Sequence, residues 1–405
     1  MKTSVNHSSE THYISEFQQF ALREPEWFNQ IRLEAIDRFS ILGFPQSRRG
    51  NEFWKYTDVS ELSHKKFEHE PANSAAIGPI PKGISVINLN DAPANLKDVA
   101  KLHLGKYAAF KNDPFISLNT ALFDDVILIH ASEGSEINDS LKIHLHSNDG
   151  KSSHARILVV AERDSKINIS FSHYGHTDGD YFANAVTEIF VGENASVSLF
   201  RAQKEKPESC HIANTYVNIS SEGSFEYFSL DNGGGIARHN VNVSLSGKNA
   251  SCCLNGVYVT KAIQHVDNHT LIRHLESNTK SDQLYKGVLL DSSRAVFVGH
   301  VEVSPGYGQI ETHQTNKTLL LSPKAVVNTQ PVLDISTDDI QASHGNAIGQ
   351  VDQDSLFYLM ARGLDYQNAE RILVEGFLAE TLNSIQSKFL LAESTESLNK
   401  LISEL

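Results

Sequence analysis

Chemistry in this sequence would have to come from its histidines, its few cysteines or one short run of aspartates. Histidine is abundant, with 19 in 405 residues. His144 and His146 stand two apart in a segment of strand character and would share a face. His173 with His176, and His265 with His269, make further pairs. No carboxylate or thiol sits at a recognisable ligand spacing from them, so the pairs read first as exposed strand histidines. Cys210, Cys252 and Cys253 form no C-x-x-C. The adjacent pair would point to opposite faces of a strand, and Cys252, like Cys210, reads as a small buried hydrophobe. Asp334, Asp338 and Asp339 precede Ala342-Ser343-His344-Gly345. Carboxylates paired on a β-helix would suit a glycosidase or lyase; as solvated turn residues they would do nothing. His344 differs from the other histidines because it lies where strand pattern gives way to helix, and junctions are where partner surfaces tend to sit.

No phosphate loop of the form GxxxxGK[ST] is present, and Gly306-Tyr307-Gly308 lacks the third glycine and the following helix of a dinucleotide site. Gly233-Gly234-Gly235 reads as a loop, and neither GxSxG nor HExxH occurs. Lys and Arg total 35 against 49 Asp and Glu, a formal charge of -14, which argues against a nucleic-acid surface. Arg48-Arg49 and Lys65-Lys66 are too short to make a basic patch. Three cysteines suit a reducing compartment. The polar N-terminus has no apolar core of a signal peptide, and the longest apolar run, residues 126–129, is only a strand. The expectation is a cytoplasmic protein with neither nucleic acid nor membrane as partner.

The elements that must hold any site change character twice. Phe28, Ile31, Ala35, Phe39 and Leu42 recur at helical spacing, which predicts a helix beginning after Pro25 and stopping at Gly43-Phe44-Pro45. A shorter helix is expected over residues 15–23. Glu52-Phe53-Trp54-Lys55-Tyr56-Thr57 reads as a hinge, and Gly78-Pro79-Ile80-Pro81-Lys82-Gly83 as a linker. From residue 84 to 348 short period-two segments dominate, such as 166–171 and 196–200, and helical periodicity is nearly absent. A small polar turn leading into a strand recurs near Ile167, Val197, Phe225, Cys252, Val296 and Val326. The steps are roughly 27 to 31 residues, with one of about 44. With few hairpin signals, this predicts stacked coils rather than a sandwich or barrel.

The last stretch returns to helix. Asp354 is expected to cap a helix ending at Gly363, and Asp365 the next. Ile372, Leu373, Phe377 and Leu378 line one face, continued by Leu382, Ile385, Phe389 and Leu390. Part of this region is expected to cap the end of the solenoid. The fold read from the sequence is therefore mainly β. A parallel β-helix core at 78–348 is flanked by an N-terminal helical region at 1–77 and a C-terminal one at 349–405.

Three segments resemble the SufB/SufD family of iron–sulfur cluster assembly proteins: residues 49–62 (RGNEFWKYTDVSEL), 316–335 (NKTLLLSPKAVVNTQPVLDI) and 338–364 (DDIQASHGNAIGQVDQDSLFYLMARGL). The resemblance runs through nearly the whole chain in order, and WKYT together with the length favours the SufD branch. It implies a right-handed parallel β-helix between two helical regions. It further implies a non-catalytic subunit that pairs with a SufB-like protein and docks a SufC-like ABC ATPase through its C-terminal helices, with Ile372, Leu373, Phe377 and Leu378 as the candidate contact. ATP would be hydrolysed on that other chain, which accounts for the missing phosphate loop. The resemblance also places the histidine of the SHG motif, here His344, at the SufB interface as a ligand of the nascent cluster. Some members carry Cys two residues earlier, where this chain has Ala342, which cannot ligate. A ligand role and a hydrogen-bonding role for His344 both stay open, as does a homodimer of the isolated chain. No cofactor is expected to be held stably by this chain alone, only a transient iron–sulfur cluster in the complex. The alternatives are a carbohydrate-active β-helix enzyme using the aspartates, and a purely structural β-helix.

Overall fold

In the segments with strict alternation, every second side chain is apolar, and these are the residues that face inward. The computed structural model of the chain describes residues 8–19, 25–48, 50–70, 75–175 and 179–404. From Val126 onward the chain winds through about eight coils, each giving one strand to each of two sheets. The first sheet runs outward from Ile84–Asn88 and Val126–Ala131 to Arg294–Val303 and Val326–Ile335. The second runs from Ala75–Ile77 and Glu136–Ser147 to Ile310–Leu320 and Ile340–Gly349. Neighbours from successive coils are parallel; Ala75–Ile77 and Ile84–Asn88 are antiparallel additions at the start. Between the sheets lies a lumen filled by Ile167, Ile169, Val197, Leu199, Phe225, Leu254, Val243, Ile272 and their neighbours.

The polar turns have a structural reason. Five successive corners from the first sheet to the second each put one residue in the left-handed region: Asp164, Asn194, Glu222, Asn249 and Asn278, with φ between 54° and 61°. The N–H of that residue donates to a carbonyl of the next coil, at 2.9 Å from Asp164 to Glu193, Asn194 to Ser221 and Glu222 to Lys248. Asn and Asp tolerate this conformation, which is why small polar residues recur there. Ile167, Val197, Phe225 and Cys252 are register partners in one column of the second sheet. The long step has a simple cause. The next member of that column is Ser281, invisible to an apolar repeat, whereas Val296 and Val326 belong to the first sheet and are not partners of each other.

Helices cover the outer faces. Asn29–Leu42 lies where its periodicity places it, ending at Gly43, and the preceding helix is Ser8–Gln19; residues 20–23 of the expected 15–23 lie outside the described residues, as do Arg49 and His176. Two helices within the stretch read as all strand were missed, Ala94–His103 and Pro114–Leu122. Every residue of the second is buried, so it has no polar stripe and no amphipathic period to find. Its start is fixed by Asp113, whose carboxylate accepts from the N–H groups of Phe115 (2.8 Å) and Ile116 (3.0 Å). Its end is fixed by the buried Arg32 guanidinium, which donates to the carbonyls of Ala121 (3.2 Å) and Phe123 (2.7 Å).

Trp54 and Thr57 form a clasp where the sequence suggests a hinge. Arg238, on the outer face of the first sheet, donates to the Phe53 carbonyl at 2.9 Å and lies 4.0 Å from the Trp54 ring centre. Thr57 bonds both Asp267 and His265. Nor is 78–83 a free linker, because the Gly78 N–H donates to the Lys142 carbonyl at 2.8 Å and holds the segment on the second sheet.

The C-terminal helices do not cap the solenoid. After Gly349 the chain turns back along the outer face of the second sheet. There Val374, Leu378, Ile385, Leu390, Leu398 and Leu401 cover Phe200, Phe228, Val257, Val259 and Val288. That apolar outer face demands a cover, and the helices meet the demand at the expense of the coil end. The helix Gln353–Ala361 is capped by Asp352 rather than Asp354, through the Ser355 N–H at 2.8 Å, and Asp365 caps Tyr366–Ala379 as read.

Candidate functional site

Because the helices turn back, the last coil is bare. Ile340–Gly349 is exposed along almost its whole length and Val326–Ile335 is half-exposed. These are the edge strands of two sheets, and an edge presents unpaired N–H and C=O groups as a template for another chain. Isolated proteins blunt such edges with charge or proline. Val326–Ile335 has Pro331 and Asp334, but the ten residues Ile340–Gly349 contain neither a charged residue nor a proline.

His344 stands in the middle of this edge. Its register partner in the previous coil is the buried, lumen-facing Gln314, and Ala342, His344, Asn346 and Ile348 continue the inward-facing set above Thr312, Gln314, Asn316 and Thr318. Asn346 spans the opening by donating to Thr329 of the other sheet, which fixes that face as the inner one. Ser343 points outward and pairs with His313 at 2.8 Å. His344 thus lies at the mouth of the lumen, exposed. Among the described residues no group of three or more His, Cys, Asp or Glu could hold a metal ion.

The remaining candidates from the sequence are placed as follows. Burial pushes the Cys253 thiol up to about 12 and Cys210 and Cys252 above the usual range, which disfavours the thiolate at all three. Cys252 faces the lumen core, while Cys253 faces outward towards the C-terminal helices. The histidines read as exposed are largely not so. His173 is buried in the lumen beside His211, their ring centres 4.8 Å apart. Burial and the adjacent Arg201 and His211 hold it well below the usual imidazole range. His269 is buried too, bonded to Asp267 at 2.9 Å, and His265 shares that clasp. Sequence spacing could not anticipate this, because the partner residues come from other coils. Asp334, Asp338 and Asp339 are exposed.

The four positions read as an ATPase contact separate by depth. Leu378 is fully buried against the second sheet. Phe377 is half-buried over the Lys286 ammonium, 4.2 Å from the ring centre, and Leu373 is half-buried among Val351, Leu356 and Ala369. Ile372 is exposed. Sequence reasoning missed the larger exposed surface on the preceding helix, where Phe357 is 74% and Tyr358 57% exposed, with Met360 and Tyr366 nearby in sequence. The available signal was the run Leu356-Phe357-Tyr358-Leu359-Met360, which has more apolar residues than one buried stripe can use.

Residues 144–377 match the model described as SUF system FeS cluster assembly, SufBD core domain, and residues 67–143 match SufBD protein N-terminal region. The chain belongs to the SufBD family. It is 30% identical over 388 residues to the Protein ABCI7, chloroplastic, of Arabidopsis thaliana, covering 86% of this chain and 81% of that one. It is 25% identical to the iron–sulfur cluster assembly protein SufD of Escherichia coli, covering 84% and 85%. With the SufD of Bacillus subtilis the identity is 23%, covering 93% and 94%. The SufBD core model therefore spans the coils from His144 onward, the bare edge with His344 and the helices as far as Phe377. A role in iron–sulfur cluster assembly within the SUF system follows from membership.

Proposed function

We propose that this chain is a SufD-type, non-catalytic scaffold subunit that pairs through its bare terminal coil with a SufB-like protein and carries a SufC-like ABC ATPase on its C-terminal helices. The observation that carries the reading is the uncharged, proline-free edge Ile340–Gly349 with His344 at its centre. An edge of that length would aggregate unless another sheet continued it. A second parallel solenoid presenting its own last coil would extend both sheets at once and bury His344 at the junction.

In this reading the cluster is cargo, assembled at the junction and passed on. An imidazole nitrogen can ligate iron beside thiolates, and the thiolates would come from the partner, since Cys210 and Cys252 are buried and Cys253 is half-buried, none of them on the terminal coil. The exposed aromatic surface of Phe357 and Tyr358, with Ile372, is the docking face assigned to the ATPase; Phe377 and Leu373 support it from below, and Leu378 anchors it. No helix among the described residues is long and apolar enough to cross a membrane. The cytoplasm as the site of action is part of this proposal, since the Arabidopsis relative is named chloroplastic.

The test is co-purification of the tagged full chain from its own cells. Recovery of a SufB-like chain and an ABC ATPase is expected. Ala347→Lys with Ile348→Lys should lose the SufB-like chain and keep the ATPase, while Phe357→Glu with Tyr358→Glu should do the reverse. Recovery of the chain only as a homodimer, with neither partner, would overturn the reading.

A further inference from the structure

One column of the lumen changes character toward the open end. On the second sheet the register partners run Ile169, Leu199, Tyr227, Leu254, then Gln283, Gln314 and finally His344. Gln314 is 1% exposed and Gln283 is buried too. Each amide N–H has a partner across the lumen: Gln314 Nε2 donates to the Gly299 carbonyl at 3.1 Å, and Gln283 Nε2 to Thr270 Oγ1 at 2.6 Å. Each amide oxygen has none among the described residues. A buried carbonyl left unpaired is unfavourable, and an apolar side chain would fill the same place without that cost. The opposite sheet makes room for the arrangement, since a Cβ at Gly299 would collide with the Gln314 amide.

We propose that Gln314 is a positioning residue for His344: its amide oxygen accepts one ring N–H of His344 and leaves the other ring nitrogen free at the mouth of the lumen. This rests on the reading of His344 as the cluster contact. In-register side chains on neighbouring parallel strands stand about 4.8 Å apart, a separation that rotation of the imidazole closes. Ligating histidines are commonly held this way, the second nitrogen fixed by an acceptor that sets the tautomer. Gln283 continues the column and keeps the site beneath Gln314 polar.

The test uses the full chain labelled with 15N-histidine and long-range 1H–15N spectra, with the His344 signal identified by its loss in His344→Gln. One tautomer is expected in the unsubstituted protein. In Gln314→Met it should shift to the mixed tautomers of free imidazole, and Gln314→Glu, which keeps an acceptor oxygen, should restore the single form. Gly299→Ala, which displaces the amide from the opposite sheet, should behave like Gln314→Met and covers the case in which that variant does not fold. Cluster formation in cells should fall about 10-fold in Gln314→Met. An unchanged tautomer in both Gln314→Met and Gly299→Ala would overturn the proposal. Should His344→Ala leave cluster formation intact, the cluster-contact reading falls, while the spectra still decide whether Gln314 orients the ring.

Discussion

Arg238 illustrates how a motif that could be functional is structural. The guanidinium lies 2.6 Å from Asp267, on the outer face of the first sheet, with Trp54 stacked over it and the Phe53 carbonyl accepting. Burial alone would raise the Asp267 carboxyl, but Arg238, with His269 and His265, holds it far below the usual carboxylate range. Removing one member of a buried pair leaves an uncompensated charge, so Arg238→Ala is expected to cost about 3–5 kcal/mol by urea unfolding. Arg238→Met combined with Asp267→Leu should recover most of that loss. His344 stands at the other extreme. It is exposed, so His344→Ala should change stability by less than about 0.5 kcal/mol while cluster formation in cells is lost. A large fall in stability would instead make it a structural residue. WKYT was legible as a marker of family, yet its role depends on Arg238, Asp267 and His265, which come from two later coils.

At the scale of elements, the helices Tyr366–Ala379 and Lys388–Ser403 are tied to the second sheet by apolar and polar contacts. Glu226 accepts from the N–H groups of Gln386 (3.2 Å) and Ser387 (2.8 Å) at the start of the last helix. Lys286, its side chain fully buried, donates to the Phe377 carbonyl at 2.6 Å and pairs with Glu380, which also holds Lys317. Leu378→Ala should therefore cost about 2–5 kcal/mol, whereas Phe357→Ala should leave stability nearly unchanged and weaken retention of the ATPase in a pull-down. Equal effects of the two on stability would remove the distinction between anchor and docking face. Asn29–Leu42 was found from its period, but Ala94–His103 was missed although it has a polar face, with only Leu96 and Ala100 buried. Pro114–Leu122 was not found, because a helix buried on all sides carries no period, and the return of the C-terminal helices along the sheet was not, because caps and spacing give a helix its limits but not its neighbour.

For the whole molecule, the buried histidines predict a definite response to acid. Burial lowers His274 to about 4, and desolvation, the first cause in each case, also lowers His173, His239, His265 and His269. In the unfolded chain these rings titrate near 6.5. Above that pH both states are neutral and the folded protein has its full stability. Between 6.5 and the folded values only the unfolded chain takes up protons, so stability falls as pH drops. The midpoint of urea unfolding should decline steadily from pH 7 to pH 4.5, and His274→Gln should lessen the slope. A flat profile over that range would show the rings to be solvated. By itself the sequence determined the parallel solenoid, its polar corners and the helix Asn29–Leu42, because alternation, left-handed turn residues and helical period are local properties of the chain. It also determined the family, through segments that lie in the edge, the clasp and the helix Gln353–Ala361. Only the tertiary structure decided that the last coil stays bare, that His344 faces the lumen mouth above Gln314, and that Leu378 is an anchor while Phe357 is free. Those facts depend on which surface wins the C-terminal helices, a competition between apolar areas far apart in sequence.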